Sequence, residues 1–297
     1  MKSLRARCWK MRSSRMSSAH EELTAFRKTH AARAHIMTGH VWDVISSGSG
    51  ERTIVLLPAA GGSAESQFQL ISAFEPHMRV LSIGCPATLT TVHQAVEAIE
   101  ALLDDYTVST CVLLGQSLGG IFAQAFAMTF FDRIDGLVLA NVADYSLRRG
   151  AIVRAILASA HRLPKSAVVS LMSARLHRLL KGHPDRDFWL AYFTGDELRR
   201  LGSQGIANRG ACVGDSIAHW SSSSTPSEKY RGPTLILESD NDTGFTAGER
   251  RAFRASYPQA RVCTFHGAGH LSSITRCDEF VAEVVGFMER SQSPMPR

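Results

Sequence analysis

The sequence predicts an α/β fold: a mostly parallel central sheet with flanking helices and an inserted helical cap. Three observations predict it. Short apolar runs alternate with helical patterns from Thr53 onward, one long stretch breaks that alternation, and a glycine-bracketed serine directly follows one apolar run.

The run Thr53-Ile54-Val55-Leu56-Leu57 is apolar on nearly every residue and is bounded by Pro58 and the Gly61-Gly62 pair. Continuous apolarity over so few residues suits a parallel strand buried on both faces. Further strands are expected at 79–83, 111–114, 136–140, 233–238 and 261–265, after two lead-in strands at 35–38 and 41–45. Helices are expected between them near 65–74, 92–103, 118–129 and 247–256, with a last one over 278–290. Strict alternation implies right-handed βαβ crossovers. From about Asn141 to Gly232 the rhythm gives way to helices near 149–162, 165–181, 186–201 and 205–219. Residues 33–141 and 233–290 therefore read as the core, 142–232 as a helical cap, and 291–297 as a frayed tail.

Composition narrows the function. Hydrophobic residues make up 44% and charged residues 20% of the 297 positions, which is ordinary for a globular protein. The formal net charge is +6. Lys2, Arg5, Arg7, Lys10, Arg12 and Arg15 account for all of it, with no acid in the first twenty residues. A neutral body behind a basic tail argues against a nucleic-acid partner. Residues 1–32 read as a basic, disordered tail and lead-in, with 21–32 helical or irregular. No apolar run reaches the roughly 18 residues needed for a membrane span. Six scattered cysteines without CxxC spacing point to reduced thiols and a cytoplasmic location, with organelle targeting by the tail as the alternative. No metal and no organic cofactor are expected.

Four stretches carry the chemistry. Gly115-Gln116-Ser117-Leu118-Gly119-Gly120 follows an apolar strand and opens a helix, the context in which GxSxG marks a nucleophile. The Leu118 N–H at the helix start is aimed where an oxyanion would form. Leu57-Pro58-Ala59-Ala60-Gly61-Gly62-Ser63 lets the N–H of Ala60, or of Ala59, approach a carbonyl oxygen as second donor. Glu238-Ser239-Asp240-Asn241-Asp242 ends a strand and offers a carboxylate to a histidine. Asp242 is favoured over Asp240, because the chain needs a few residues to reach the histidine loop; Asp144 is a third candidate. Gly267-Ala268-Gly269-His270 supplies the base, third in the chain order serine, acid, histidine. His266 ranks behind it because it ends the strand. Each stretch also has a plainer reading, as a helix cap, a glycine turn, a turn carboxylate or a surface histidine. The four in order fit catalysis better. Phe188, Trp189, Tyr192, Phe193 and Trp220 are candidate pocket walls, although aromatics at helical spacing are more often packing.

These stretches resemble the α/β-hydrolase fold superfamily over about residues 33–290. Leu56-Leu57-Pro58, Leu113 through Gln124, Leu137-Val138-Leu139-Ala140-Asn141 and Tyr257-Pro258-Gln259-Ala260-Arg261 further resemble its maspardin-like branch. The resemblance implies an eight-stranded sheet, a helical cap and a site at the strand C-termini. It makes Ser117 the nucleophile, Asp242 the acid, His270 the base, and Ala60 with Leu118 the oxyanion pair. Pro58-Ala59 stands where many members have His-Gly. Maspardin itself resembles a non-catalytic adaptor lacking the histidine, whereas His270 is present here. The expected function is a serine hydrolase cleaving a small carboxylester, lactone or thioester through an acyl-enzyme. A maspardin-like adaptor, or an acyltransferase or lyase on the same scaffold, is the alternative.

Overall fold

The computed structural model describes residues 18–59, 62–222 and 230–290, with the backbone alone at 219–222. Its centre is one eight-stranded sheet. The strands are β1 (Arg33–Met37), β2 (His40–Ser47), β3 (Thr53–Leu57), β4 (Arg79–Ile83), β5 (Cys111–Gln116), β6 (Ile134–Ala140), β7 (Thr234–Ser239) and β8 (Arg261–Phe265). Their order is β1-β2-β4-β3-β5-β6-β7-β8. β1 and β2 pair antiparallel and β2 meets β4 antiparallel; every later pairing is parallel.

The apolar runs are two-sided because helices cover both faces. On one face Val55, Leu57, Leu113, Leu137 and Leu139 pack with α3 (Val92–Asp105), α4 (Leu118–Thr129) and α9 (Ala247–Ala255). On the other, Ile54, Leu56, Val112, Leu114, Val138 and Ala140 pack with α1 (Ala19–Thr29), α2 (Phe68–Phe74) and α11 (Cys277–Arg290). Alternate residues of one strand thus enter different cores, as the pleat requires.

Between β6 and β7 the described chain is helical. α5 (Leu147–Ala158) leads through a 3₁₀ turn to α6 (Lys165–Leu179) and α7 (Arg186–Ala191). A π-turn over Tyr192–Glu197 then joins α7 to α8 (Leu198–Ser222). The break expected near 202–204 is present as a kink at Gly202, whose φ of 66° suits glycine. The short helix α10 (Ser272–Thr275), which no sequence pattern announced, follows the histidine loop.

The lead-in, expected to be helical or irregular over 21–32, starts two residues earlier than expected. From Ala19 it is a helix, started by a reciprocal capping box between Ser18 and Glu21. Leu23 and Phe26, both 4% exposed, seat it against Phe68 and the outer core. Burial of one apolar face holds this otherwise polar helix in place. Residues 1–17 and 291–297 lie outside the described residues. Among the described residues, no helix is long and apolar enough to cross a membrane.

Because Phe26 belongs to the core, Phe26→Ala is expected to cost about 3 kcal/mol of stability. The midpoint of urea unfolding measures it; an unchanged midpoint would show that α1 does not dock.

Candidate active site

The parallel register brings the C-terminal ends of β5 to β8 to one edge. Gln116 pairs with Ala140, Ala140 with Leu237, and Ser239 with Phe265. Residues immediately beyond these ends therefore converge, although they are far apart in sequence.

Ser117 occupies the turn from β5 into α4 with φ 49° and ψ −114°. A side chain there is strained by about 1–3 kcal/mol and needs a rigid frame. The frame is built of glycines. A Cβ on Gly115 would lie 2.3 Å from the Gly119 carbonyl oxygen, and one on Gly119 would lie 2.3 Å from that of Leu57. Only glycine admits such crossings. The turn is also tied to the next strand by the Ser117 N–H, which donates to the Ala140 carbonyl at 2.9 Å.

The Ser117 hydroxyl faces His270, with 3.0 Å between Oγ and Nε2. On its far side the imidazole Nδ1 lies 2.8 and 3.0 Å from the two carboxylate oxygens of Asp242. The Asp242 side chain is 1% exposed and that of His270 10%. Burial pushes the Asp242 carboxyl up, but its partners outweigh that and hold it below the usual carboxylate range. They are the hydrogen bond and charge of His270, the Gly244 N–H and the Asn141 amide. Asp242 is thus ionised at neutral pH, and it selects the tautomer with the proton on Nδ1 and the lone pair of Nε2 toward Ser117.

The other candidates go elsewhere. Asp240 accepts from His266 Nδ1 and from the Gly267 N–H, both at 2.9 Å, on the exposed side of the loop. That pair shapes the histidine loop without reaching Ser117. Asp144 is largely buried, its Oδ1 has no hydrogen-bond partner among the described residues, and burial lifts its carboxyl from the ordinary 3.8 to about 6.

Three contributors escaped sequence reasoning. Asn141, just beyond β6 with φ 47°, donates from Nδ2 to Asp242 Oδ2 at 3.1 Å and to the Gly269 carbonyl at 3.2 Å. A left-handed asparagine at a strand end was the available signal. Gly244 lies so close to the histidine that a Cβ there would sit 2.5 Å from His270 Nδ1. Glu197, on the π-turn, accepts from the Ser63 N–H at 3.0 Å, from the Ser63 hydroxyl, and from the Tyr192 hydroxyl at 3.1 Å. With Asp43, which accepts from the Ala64 N–H at 2.6 Å, it pins the loop after β3.

A cavity of about 270 Å³ opens over Ser117 and His270. Its walls are mainly apolar and include Leu118, Val153, Met172, Leu176, Trp189, Phe193, Leu201 and Phe245, with Pro58, Ala59 and Gly62 at one side. Of the expected aromatic walls, Trp189 and Phe193 line it. Phe188 and Tyr192 do not; they pack behind, Phe188 against Phe68 and Trp189, and Tyr192 edge-on to Trp189 with its hydroxyl on Glu197. Ala60 and the side chain of Trp220 lie outside the described residues. Gln67 Oε1, Gln116 Nε2, Trp189 Nε1 and Arg209 Nε are buried, belong to wall residues, and lack partners among the described residues.

Comparison with known proteins agrees with this architecture. The alpha/beta hydrolase fold family model matches residues 52–276. The chain belongs to the α/β-hydrolase fold family. It is 26% identical over 199 residues to the mouse sn-1-specific diacylglycerol lipase ABHD11, spanning 64% of this chain and 62% of that one. It is 24% identical over 255 residues to a poly(3-hydroxyalkanoate) depolymerase of Ectopseudomonas oleovorans, spanning 80% and 85%. Among solved structures, an enol-lactonase from Burkholderia xenovorans superposes with a TM-score of 0.73 at 21% identity, over 86% of this chain and all of that one. A hydrolase from Pseudomonas aeruginosa gives 0.74 at 23%, over 86% and 98%. These relatives are named as a lipase, a depolymerase, an enol-lactonase and a hydrolase.

Two predictions follow from the geometry. Gly244→Ala must displace the imidazole, and a shift of about 1 Å lowers kcat about 100-fold; steady-state kinetics on a folded variant measures it, and wild-type kcat would contradict the packing. Asp144 binds its proton more tightly folded than unfolded, so its contribution to stability falls as pH rises from about 3.8 to about 6 and stays low above. Asp144→Asn is therefore expected to raise Tm at pH 7, with the gain closing below pH 4. A gain equal at both pH values would refute the buried-carboxylate account.

Proposed function

We propose that the protein is a serine hydrolase that cleaves an ester-like small molecule (a carboxylester, lactone or thioester) through an acyl-enzyme. The observation carrying this reading is the unbroken hydrogen-bonded chain from Ser117 Oγ through His270 to Asp242. A serine alone on a strained turn could be a cap; one facing the lone pair of a carboxylate-held imidazole is set up to lose its proton.

His270 Nε2 takes the hydroxyl proton as Ser117 Oγ attacks the carbonyl carbon. Negative charge gathers on the carbonyl oxygen, where the Leu118 N–H at the start of α4 and a second N–H from Ala60 or Ala59 hold it. The first N–H groups of a helix have no intrahelical acceptor, so Leu118 donates without breaking a helical bond. Collapse expels the leaving group with the proton from His270. Water, deprotonated by the same nitrogen, then releases the acid. Asp242 stays ionised throughout and stabilises the imidazolium.

The segment 142–232, helical in most of its described part, is the cap in this reading, and residues 33–141 with 233–290 are the core. The apolar walls favour an acyl chain or ring, while the unpartnered N–H groups of Gln116, Trp189 and Arg209 suit substrate oxygens and the Gln67 Oε1 suits a substrate hydroxyl. Relatives named as a diacylglycerol lipase, a poly(3-hydroxyalkanoate) depolymerase and an enol-lactonase support ester hydrolysis generally. A small-molecule acyl substrate is thus the expected partner.

Ser117→Ala is expected to lower kcat on p-nitrophenyl butyrate by at least about 10⁴-fold with Tm nearly unchanged. A fluorophosphonate probe is expected to label wild type and not the variant. Equal turnover in the variant would remove Ser117 from the mechanism, and a wild type neither active nor labelled would leave the adaptor reading standing.

A further inference from the structure

Beside the catalytic cavity runs an open groove of about 470 Å³. Arg175, Arg178 and Lys181, from the end of α6 and the residues after it, form one side. Thr243, Gly267 and Gly269 form the other, and among the described residues no acidic one lines it. Several arginines elsewhere are ion-paired: Arg133 with Glu100, Arg149 with Glu249, Arg254 with Glu238. Among the described residues, the three groove cations have no carboxylate within ion-pair distance. Asp240, on the adjoining loop, is turned to His266 and the Gly267 N–H. Three like charges around one concavity repel each other, and the field they focus attracts an anion.

The groove and the cavity meet at Arg175 and Leu179, which line both. Its position indicates which half of a substrate would enter. His270 hands its proton to the departing atom, so the leaving group lies on the imidazole side of Ser117. Thr243 neighbours Asp242, and Gly267 and Gly269 precede His270, so the groove opens on that side.

We infer that the substrate's leaving group is an alcohol or thiol carrying an anionic oxygen group, such as a carboxylate or phosphate, held in the groove by Arg175, Arg178 and Lys181. This rests on the ester-hydrolase reading and adds the substrate class. The Ser117 Oγ–carbon bond forms while the bond from that carbon to the leaving oxygen or sulfur breaks. The leaving atom takes the proton from His270, and the anionic group itself does not react.

The test compares two esters with the same acyl group: p-nitrophenyl butyrate and its carboxylated analogue, 3-carboxy-4-nitrophenyl butyrate. The two leaving groups differ in reactivity, so the readout is the ratio of kcat/KM, anionic over neutral, in each protein. In the doubly neutralised variant R178Q/K181Q that ratio is expected to fall at least about fivefold, and in wild type it falls as sodium chloride is raised. Charge reversal in R178E/K181E is expected to lower it further. p-Nitrophenyl hemisuccinate carries its charge on the acyl side, and its ratio to the neutral ester is expected to move much less. An unchanged ratio in both variants would overturn the inference while Ser117-dependent turnover of p-nitrophenyl butyrate kept the hydrolase reading intact. An equal fall with the hemisuccinate would overturn the leaving-group assignment. A wild type that turns over none of these esters would overturn both readings together.

Discussion

A carboxylate shielded from water has to be matched by donors, and Asp242 is matched by three. The His270 imidazole, the Gly244 N–H and the Asn141 amide all converge on it, and its own N–H is tied back to the Ser239 carbonyl. Leaving such a charge unmatched would cost several kcal/mol. That constraint orients the imidazole, and the imidazole in turn addresses Ser117. The same pairing explains why position 244 has no room for a side chain and why an asparagine follows β6. Geometry that serves chemistry here also serves to keep a buried charge stable.

The sheet supplies the convergence and the loops supply the aim. Parallel strands in register end at one edge, so short loops after β5, β6, β7 and β8 meet without long excursions. Two more buried or half-buried carboxylates, Glu197 and Asp43, hold the loop after β3 by its backbone N–H groups. Glu197 comes from the helical insertion, so the insertion is coupled to the loop from which an oxyanion donor is expected. Arg200 and Arg209 extend that coupling by donating to the carbonyls of Cys85 and Pro86 beyond β4. The insertion is thus tied to the ends of β3 and β4 by hydrogen bonds as well as by packing.

Much of this was legible in the sequence because two-sided burial leaves a local mark. β3, β4 and β8 have the bounds their apolar runs predict, and α4 begins and ends where expected. The serine and histidine stood out because glycines flank both. What escaped notice depends on contacts between distant residues. Nothing near Glu197 announces that it will meet Ser63, 134 positions away. Gly244 reads as a turn glycine until the ring beside it is seen. Helical spacing could not separate Trp189, which faces the cavity, from Phe188 and Tyr192, which pack behind it. The lead-in helix was legible only as helical or irregular, since its one apolar stripe is Ala19, Leu23 and Phe26.

The Asp242–His270 hydrogen bond can be observed directly. A proton held on Nδ1 between the imidazole and a buried carboxylate resonates far downfield in a proton NMR spectrum. The account predicts such a resonance in wild type, its persistence in Ser117→Ala, and its loss in Asp242→Ala. Its absence from the wild type, or its survival once the carboxylate is gone, would contradict the arrangement on which the catalytic reading rests.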